Sequence, residues 1–293
     1  MLGRIRNSFA YRIPVVYKHL LQVKFRIKKQ LKFYQESEIY NLLIFSGVAQ
    51  LEMLNVCLNS IYRNFDKRPH IYIVTDEILT EKRCQKHTKW FPAKNLTIIP
   101  GSDCIKHHQK KGNCRLAEFA QKNTMGLKMA AILYVMDLGR PVLYCDTDVI
   151  WYKDPLSNLE GLLKDSNFSL ALSVDFQSSY DNSLVKLKNL FELKNSPFFC
   201  AGIIFLKKFS ELHNKLLNDL IPLQSHTPNH FTEQTIFASI NKRSGDISLD
   251  PKKYIIKLSD KLDFIPKNSN GCLARHYVGE VRHLFWRDAI FSV

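Results

Sequence analysis

The sequence contains no uninterrupted apolar run near the roughly 18 residues that a membrane-spanning helix needs, and it shows no secretory signal peptide. It has seven cysteines, an odd number, and none forms a Cys-x-x-Cys pair. This pattern argues against a disulfide framework or a zinc knuckle and favours a reducing compartment. Internal repeats and low-complexity linkers are also absent. We therefore expect a cytoplasmic protein, soluble or peripheral at the inner membrane face.

Acidic residues are scarce beside basic ones. The chain has 27 Asp and Glu against 42 Lys and Arg, a net charge of +15. Residues 1–40 hold nine of the basic residues and two of the acidic ones, so +7 of this charge is local. Such an excess predicts an anionic partner. No helix-turn-helix, zinc knuckle or RNA-binding signature accompanies it, so nucleic acid is not the expected partner.

Residues 1–39 are predicted to form a basic amphipathic arm ahead of a single domain over residues 40–293. Apolar residues recur at helical spacing along the arm, at Val16, Leu20, Val23, Ile27 and Leu31. A basic helix of this kind, over 15–34, can lie on an anionic membrane surface. It can equally pack on the domain with its lysines in solvent, and the sequence favours neither interpretation.

Strand and helix patterns alternate through the rest of the chain. Short apolar runs predict strands over 42–45, 70–75, 95–99, 142–144, 169–174 and 198–206. Longer periodic segments predict helices over 50–65, 79–89, 114–138 and 207–220, and Thr232 suits the N-cap of another helix. Repeated alternation predicts an α/β fold, with a Rossmann-like, mostly parallel central sheet and helices on both faces.

Two carboxylates, Asp146 and Asp148, follow the predicted strand at 142–144. Ligands of open α/β sheets bind at the carboxyl ends of strands, where this pair falls. In extended backbone, side chains two residues apart project to the same side, so both carboxylates could meet one divalent ion. Mg²⁺ or Mn²⁺ bound by such oxygens keeps open positions for substrate phosphates. Asp-x-Asp spacing also occurs in helix caps and solvated turns, so the pair alone is a weak signal.

A second group of polar residues lies near the C-terminus, at His276, Gly279 and Arg282. The imidazole can bind a metal ion, and the glycine lets backbone approach a diphosphate. The guanidinium supplies a permanent cation with a fork of donors. Each type suits one part of a unit formed by a metal ion and a nucleotide diphosphate, so the sequence predicts a nucleotide-sugar site.

Together the two groups resemble signatures of the retaining glycosyltransferase family that contains glycogenin and bacterial lipopolysaccharide galactosyltransferases. Those signatures are an Asp-x-Asp and a late His-x-x-Gly-x-x-Lys, and the resemblance covers roughly residues 40–286. It implies a GT-A fold, a UDP-sugar donor, and Mn²⁺ or Mg²⁺ held by Asp146, Asp148 and His276. It also implies retention and a glycan, glycolipid or other hydroxyl acceptor.

Further residues are assigned within this hypothesis. The family's Asn-Ala-Gly and Asp-Gln segments resemble Cys200, Ala201 and Gly202 and the pair Glu233 and Gln234. Arg282, Cys200 and Glu233 depart from the family's Lys, Asn and Asp. Donor-binding roles are predicted for Ser46, Gly47, Lys128, Asp146, Asp148, Ala201, Gly202, Gly279 and Arg282. Catalytic roles, as groups that stabilise the cationic sugar, are predicted for Glu233, Gln234 and Asp175.

Two other classes of function fit part of the sequence. In a haloacid-dehalogenase-like phosphatase, Asp146 would be the nucleophile, and Asp246 and Asp250 would form the late acidic motif. Such enzymes carry the first acid pair on their opening strand, whereas three predicted strands precede it here. The third class is a non-enzymatic basic protein that binds a membrane surface or nucleic acid, and only the net charge supports it.

Overall fold

The computed structural model describes residues 2–166, 168–175, 179–194, 197–221, 227–256 and 271–292. The helices are α1 (Leu2–Ile27), α2 (Leu51–Asn64), α3 (Glu81–Thr88), α4 (Gly101–Lys110), α5 (Cys114–Lys122), α6 (Thr124–Met136), α7 (Leu156–Lys164), α8 (Asn182–Leu187), α9 (Glu211–Leu220), α10 (Thr232–Arg243) and α11 (Leu284–Ser292). The strands are β1 (Ser37–Ser46), β2 (Pro69–Thr75), β3 (Leu96–Pro100), β4 (Val142–Cys145), β5 (Val149–Trp151), β6 (Leu170–Asp175), β7 (Phe198–Leu206), β8 (Tyr254–Ile255) and β9 (Ala274–His276).

Six of these strands form a large sheet in the order β3-β2-β1-β4-β7-β6. The pairs β3-β2, β2-β1 and β1-β4 are parallel, and β7 runs antiparallel to both of its neighbours. Strand β6 therefore runs in the same direction as β4. The carboxyl ends of β1, β2, β4 and β6 consequently share one edge of the sheet, where ligands of open α/β sheets bind.

Side chains of the central strands alternate between two apolar cores, one on each face of the large sheet. In β1, Leu42 and Ile44 pack with α2, α3, α7 and α11, whereas Leu43 packs with α4, α5, α6 and α10. All three are fully buried. A strand buried on both faces reads as a continuous apolar run, which is why β1 and β4 were recognisable in the sequence. The predicted α/β architecture with helices on both faces is confirmed.

A smaller sheet was not predicted. It contains β5, β9 and β8 in that order, with β9 antiparallel to β5 and parallel to β8. Behind it, Arg275 and Asp288 are both fully buried, with Nη1 and Oδ2 3.6 Å apart. The hydroxyl of Tyr277 donates to the same carboxylate at 2.7 Å. Burial of this charged pair ties β9 to α11, the helix that follows the sheet.

The predicted single helix over 114–138 is wrong. Asn123 is in an extended conformation (φ −150°, ψ 132°), and its side chain accepts a hydrogen bond from the amide of Met125. It therefore caps a new helix, α6, and separates it from α5. Helix α4 was missed as well. Its buried face consists of Cys104, Ile105 and His108, and a short stripe that includes a histidine lacks a strong apolar pattern.

Thr232 is the first residue of α10 rather than its N-cap, a place that Phe231 takes. Its hydroxyl donates to Asp181 Oδ2 at 2.7 Å, so it joins α10 to the start of α8 and does not cap its own helix. None of the helices in the described ranges combines the length and the apolar character that crossing a membrane requires.

Helix α1 packs against α2 and α11, and Leu21 and Phe25 are buried there. The apolar stripe predicted from the sequence does not include Leu21 or Phe25, and most of its residues face solvent. Exposed side chains include Val16, Leu20, Val23 and Ile27. The helix ends at Ile27, seven residues before the predicted end, and β1 begins at Ser37.

Candidate active site

A cavity of about 680 Å³ opens at the edge where the carboxyl ends of the large sheet meet. Its walls come from both halves of the chain and from both sheets. The lining includes Gly47, Asp76, Lys128, Asp146, Asp148, Asp175, Ala201, Gly202, Glu233, Gln234, His276, Gly279 and Arg282. The structure thus brings together every predicted site residue except Ser46.

Asp146 and Asp148 lie on the turn that joins β4 of the large sheet to β5 of the small sheet. The amide of Val149 donates to Asp146 O at 3.3 Å, and the amide of Asp146 donates to Gly202 O at 2.9 Å. The prediction of extended backbone through this pair is wrong, because β4 ends at Cys145 and the chain turns to enter the other sheet. Both side chains nevertheless reach the same place, through the turn rather than through strand alternation.

His276 is carried to the acidic pair by the small sheet. Strand β9 places it opposite Val149 of β5. Its Nε2 lies 3.1 Å from Asp148 Oδ1 and 3.5 Å from Asp146 Oδ2. Burial alone would lower the pKa of His276, but the Asp148 carboxylate outweighs burial and holds this pKa well above its ordinary value. Burial would likewise raise the pKa of Asp148, but His276 and Arg282 lower it.

This trio fits a divalent cation. One ligand atom from each residue lies within 4.8 Å of the other two, and two carboxylates with one imidazole suit Mn²⁺ or Mg²⁺. The ring of His276 packs so closely on β7 that a Cβ at position 202 would overlap it. Gly202 is therefore needed for the approach of this side chain. Cys200 Sγ lies 3.6 Å from Nδ1, so Nε2 is the nitrogen that faces the carboxylates.

Arg282 binds the other oxygen of Asp148. Its Nη2 and Nε lie 2.9 and 3.0 Å from Oδ2, and the side chain is 59% exposed. The chain reaches this position through a 3-10 turn over Gly279–Val281, in which Gly279 has φ +53°, a left-handed conformation that glycine adopts without strain. The guanidinium is thus anchored to the acidic pair and remains open to the cavity.

Lys128 lies between two carboxylates. Its Nζ is 3.1 Å from Asp146 Oδ1 and 3.0 Å from Glu233 Oε1. Burial would lower the pKa of Lys128, but the two carboxylates raise it overall. Burial raises the pKa of Glu233, and Lys128 offsets this only in part. The ammonium thus lines the cavity while it is bound to two carboxylates, and its predicted role in donor binding stays a prediction. Asp146 also accepts a hydrogen bond from the hydroxyl of Tyr144.

Gln234 connects β7 with the segment after β6. Its Oε1 accepts from the amide of Ala201 at 3.1 Å, and its Nε2 donates to Ser179 O at 2.6 Å. The hydroxyl of Ser179 donates to Asp175 Oδ2 at 2.6 Å. These bonds hold the Asp175 carboxylate and the small-residue segment of β7 on the same wall of the cavity.

Ser46 does not line the cavity. It is buried, and its hydroxyl donates to Gly47 O at 3.3 Å. Gly47 does line the cavity, next to Asp76, which sequence reasoning missed. Asp76 directly follows β2, and the rule that ligands bind at strand carboxyl ends would have identified it. Asp246 and Asp250, the late acids of the phosphatase interpretation, do not belong to the lining among the described residues.

The mostly parallel α/β sheet with an acidic turn at its carboxyl edge fits the GT-A fold that the sequence predicts. The family comparison agrees with this fold. Residues 70–243, more than half of the chain, match the family described as nucleotide-diphospho-sugar transferase, and the chain belongs to that family. It is therefore a glycosyltransferase enzyme, and the phosphatase and non-enzymatic interpretations are wrong. No curated protein sequence matches the chain.

Solved glycosyltransferases share the fold at low sequence identity. The apo structure of the bifunctional glycosyltransferase WbbM matches at 14% identity and a TM-score of 0.59, over 90% of this chain and 50% of that one. Mouse xyloside xylosyltransferase 1 matches at 13% identity and a TM-score of 0.55, over 82% and 97%. The galactosyltransferase LgtC, in complex with donor and acceptor sugar analogues, matches at 12% and 0.52, over 86% and 95%. The chain thus spans half of the WbbM structure but nearly all of the other two.

Proposed function

We propose that this enzyme transfers a sugar from a UDP-sugar to a hydroxyl group of a glycan or glycolipid, with Mn²⁺ or Mg²⁺ bound and with retention at the anomeric carbon. The observation that carries the proposal is the convergence of Asp146, Asp148 and His276, with Arg282 bound to the same carboxylate. Family membership supports a nucleotide-sugar donor, and the resemblance of the two motifs to a UDP-using retaining family supports the finer assignment.

Breaking the bond between sugar and phosphate places negative charge on the departing diphosphate. A divalent cation held by the acidic turn and His276 would stabilise that charge as a Lewis acid. Arg282 adds a second positive contact, because its exposed guanidinium can bind a phosphate oxygen while Asp148 keeps it oriented. Since the diphosphate is present before and during bond cleavage, Arg282 serves both donor binding and the rate.

The wall formed by α10 and β7 would hold the sugar. Glu233 Oε2 is buried and has no hydrogen-bond partner among the described residues, although Oε1 is bound to Lys128. A buried acceptor without a partner is costly, and a sugar hydroxyl would satisfy it. Asp175 places a second carboxylate on this wall, where it would stabilise positive charge on the sugar ring. Gln234 positions this wall through its bonds to Ala201 and Ser179.

The nucleotide base would lie at the ends of β1 and β2, against Phe45, Gly47 and Asp76. Asp76 Oδ1 accepts hydrogen bonds from the amides of Ile78 and Leu79, which fixes the carboxylate at the tip of β2. A carboxylate in this position can accept a hydrogen bond from the ring N–H of uracil. The preference for UDP itself rests on the resemblance of the two motifs to a UDP-using family, because the amino group of cytosine can donate to a carboxylate as well.

Calorimetry with UDP, GDP and CDP, each with and without Mn²⁺, tests the donor and the metal together. We expect UDP to bind best, and only with the metal, in the wild type. His276→Ala should abolish the metal-dependent part of UDP binding, whereas His19→Ala, at an exposed histidine on α1 outside the cavity, should not. Equal binding of all three nucleotides, or binding indifferent to Mn²⁺, would contradict the proposal. UDP-sugar hydrolysis assays then identify the sugar.

A further inference from the structure

Helix α1 presents an apolar stripe to solvent. Its exposed side chains are Val16 at 57%, Leu20 at 53%, Val23 at 55% and Ile27 at 76%. At about 100° per residue, these four side chains fall within about 60° of arc around the helix. Four large aliphatic residues aligned on one exposed face form a continuous apolar strip and not a scatter of single exposed residues.

The opposite face of α1 is fixed to the domain. Leu21 and Phe25 are buried there. The ammonium of Lys18 lies 5.5 Å from the ring centre of Trp286 on α11, and Gln22 donates to Glu52 on α2 at 2.9 Å. The exposed strip therefore cannot be covered by rolling the helix onto its own domain. It faces away from the body on an anchored element.

Positive charges border the strip. Lys24 and Arg26 project about 80° to either side of it on the helical wheel, and Lys29 and Lys32 follow the end of the helix as exposed residues. An apolar strip with a cation on either side suits a helix that lies in the interface of an anionic bilayer. The local charge of +7 over residues 1–40 is complementary to such a surface.

A second cavity, of about 380 Å³, opens beside this helix. Arg26, which borders the strip, also lines the cavity, together with Lys86 and Lys89 at the end of α3. These three cations have no ion-pair partner in the described part of the chain. Glu52 is the one carboxylate among the lining residues, and Gln22 already donates to it. The cavity is thus a cationic recess on the side of α1 that carries Leu21, Gln22 and Phe25, with Arg26 between it and the apolar strip, and such a recess can bind a phosphate group.

We propose that α1 docks on a bilayer rich in anionic phospholipid. Val16, Leu20, Val23 and Ile27 insert between the headgroups, and Arg26, Lys86 and Lys89 bind lipid phosphate in the adjoining recess. The docked helix contacts α11, which begins two residues after Arg282. Docking therefore holds the active site at a fixed position relative to the membrane. This inference goes beyond the proposed function and does not depend on it.

The first experiment measures co-sedimentation of the full chain with vesicles of phosphatidylcholine, with or without phosphatidylglycerol. We expect binding only to the vesicles that contain phosphatidylglycerol. The double variant Leu20→Gln and Val23→Gln should lower this binding by at least about tenfold, because two inserted aliphatic side chains are lost. The matched control is Leu212→Gln, at an exposed leucine on α9, and it should bind as the wild type does.

The second experiment tests the recess. Lys86→Gln and Lys89→Gln should each weaken binding to the anionic vesicles by about fivefold, which corresponds to about 1 kcal/mol per cation, and added salt should reduce this difference. Lys215→Gln, at an exposed lysine on α9, is the control of equal charge change. Inorganic phosphate at constant ionic strength should weaken vesicle binding of the wild type no more than Lys86→Gln and Lys89→Gln do, because it competes only for the recess. Vesicle binding that Lys86→Gln and Lys89→Gln leave unchanged would overturn the proposed role of the recess.

The strip could instead join two copies of the chain. Analytical ultracentrifugation of the wild type and the stripe variant distinguishes this case. If the wild type and the double variant Leu20→Gln and Val23→Gln are both monomers, docking on lipid is supported. If the wild type is a dimer that the double variant dissociates, the docking proposal is overturned. Because the altered side chains are exposed, thermal unfolding and UDP-sugar hydrolysis in solution should match the wild type, so failure of the docking proposal is separable from failure of the proposed function.

Discussion

The two sheets of this enzyme differ in how clearly their strands can be predicted from the sequence. Strands of the large sheet run for four to ten residues, and the central ones are buried on both faces. Strands of the small sheet have two or three residues, and β9 pairs with β5 across more than 120 residues of chain. The site takes one part from each: an acidic turn at the end of β4, and His276 from β9. The comparison shows that the residue completing a site can come from the element with the weakest sequence pattern.

The family match also treats the two sheets differently. It covers residues 70–243 and therefore includes the acidic turn but ends before β8 and β9. The late residues His276, Gly279 and Arg282 lie outside this match. Their motif predicted them as site residues, and the structure places His276 and Arg282 on Asp148. Substitutions at the turn, in the small sheet and at the contact between the sheets test whether the small sheet contributes to the function of the site.

If the turn between the sheets is the centre of the site, Asp148→Asn should have the largest effect. The change removes the negative charge that His276 and Arg282 both contact, and it replaces one carboxylate oxygen of a proposed metal ligand by an NH2 group. We expect UDP-sugar turnover to fall about a thousandfold or more, with the fold retained. Steady-state kinetics and circular dichroism measure this. Asp103→Asn, at an exposed aspartate on α4, is the control. Full activity of Asp148→Asn would remove the turn from the mechanism.

The small sheet itself can be tested through its buried ion pair. Asp288→Ala leaves the fully buried guanidinium of Arg275 without its carboxylate, and it removes the acceptor of the Tyr277 hydroxyl. Breaking a buried pair in this way costs about 3–5 kcal/mol. Urea unfolding should show this loss, whereas Asp219→Ala, at an exposed aspartate on α9, should be close to neutral. Equal stability of both variants would mean that the pair does not hold the small sheet in place.

The contact between the sheets is tested by Gly202→Ala. A Cβ on this residue of β7 would overlap the His276 ring, so the imidazole must move away from the carboxylates. A displacement of about 1 Å in a catalytic group costs about a hundredfold in rate. Mn²⁺ affinity by calorimetry and turnover should both fall. Gly161→Ala on α7 has open space around it and should leave both unchanged. If Gly202→Ala also leaves them unchanged, His276 does not need this approach.

The smallest effect concerns Lys28, which directly follows α1. Burial lowers the pKa of Lys28 from 10.5 to about 8, and Lys24 and Arg63 add repulsion. The folded-state pKa lies below the unfolded value. The contribution to stability is therefore full above pH 10.5 and is lost as the pH falls through about 8. Urea midpoints of the wild type should rise between neutral pH and the alkaline range, and Lys28→Met should flatten this rise. Parallel pH profiles of the two proteins would contradict the assignment.

The local pattern of apolar residues was sufficient to predict an element where the burial of that element follows from its own sequence. The buried runs of β1, β2 and β4 were recognised within a few residues, and so was Asp146 at a strand end. Pattern failed where a single polar residue changed the path of the chain. Asn123 divides the predicted helix over 114–138 by capping α6 with its side chain, and a turn closed by backbone bonds at Asp146 ends strand β4. Neither kind of bond changes the periodicity of the sequence around it.

The sequence by itself determined the mostly parallel sheet, the position of the acidic pair at its edge and the class of chemistry, because strand burial and residue type are properties of short segments. Only the tertiary structure decided that His276 meets that pair, that Lys128 is held by two carboxylates and that the stripe of α1 faces outward. Contacts such as Arg282 with Asp148 join residues 134 positions apart, and they depend on how the whole chain packs.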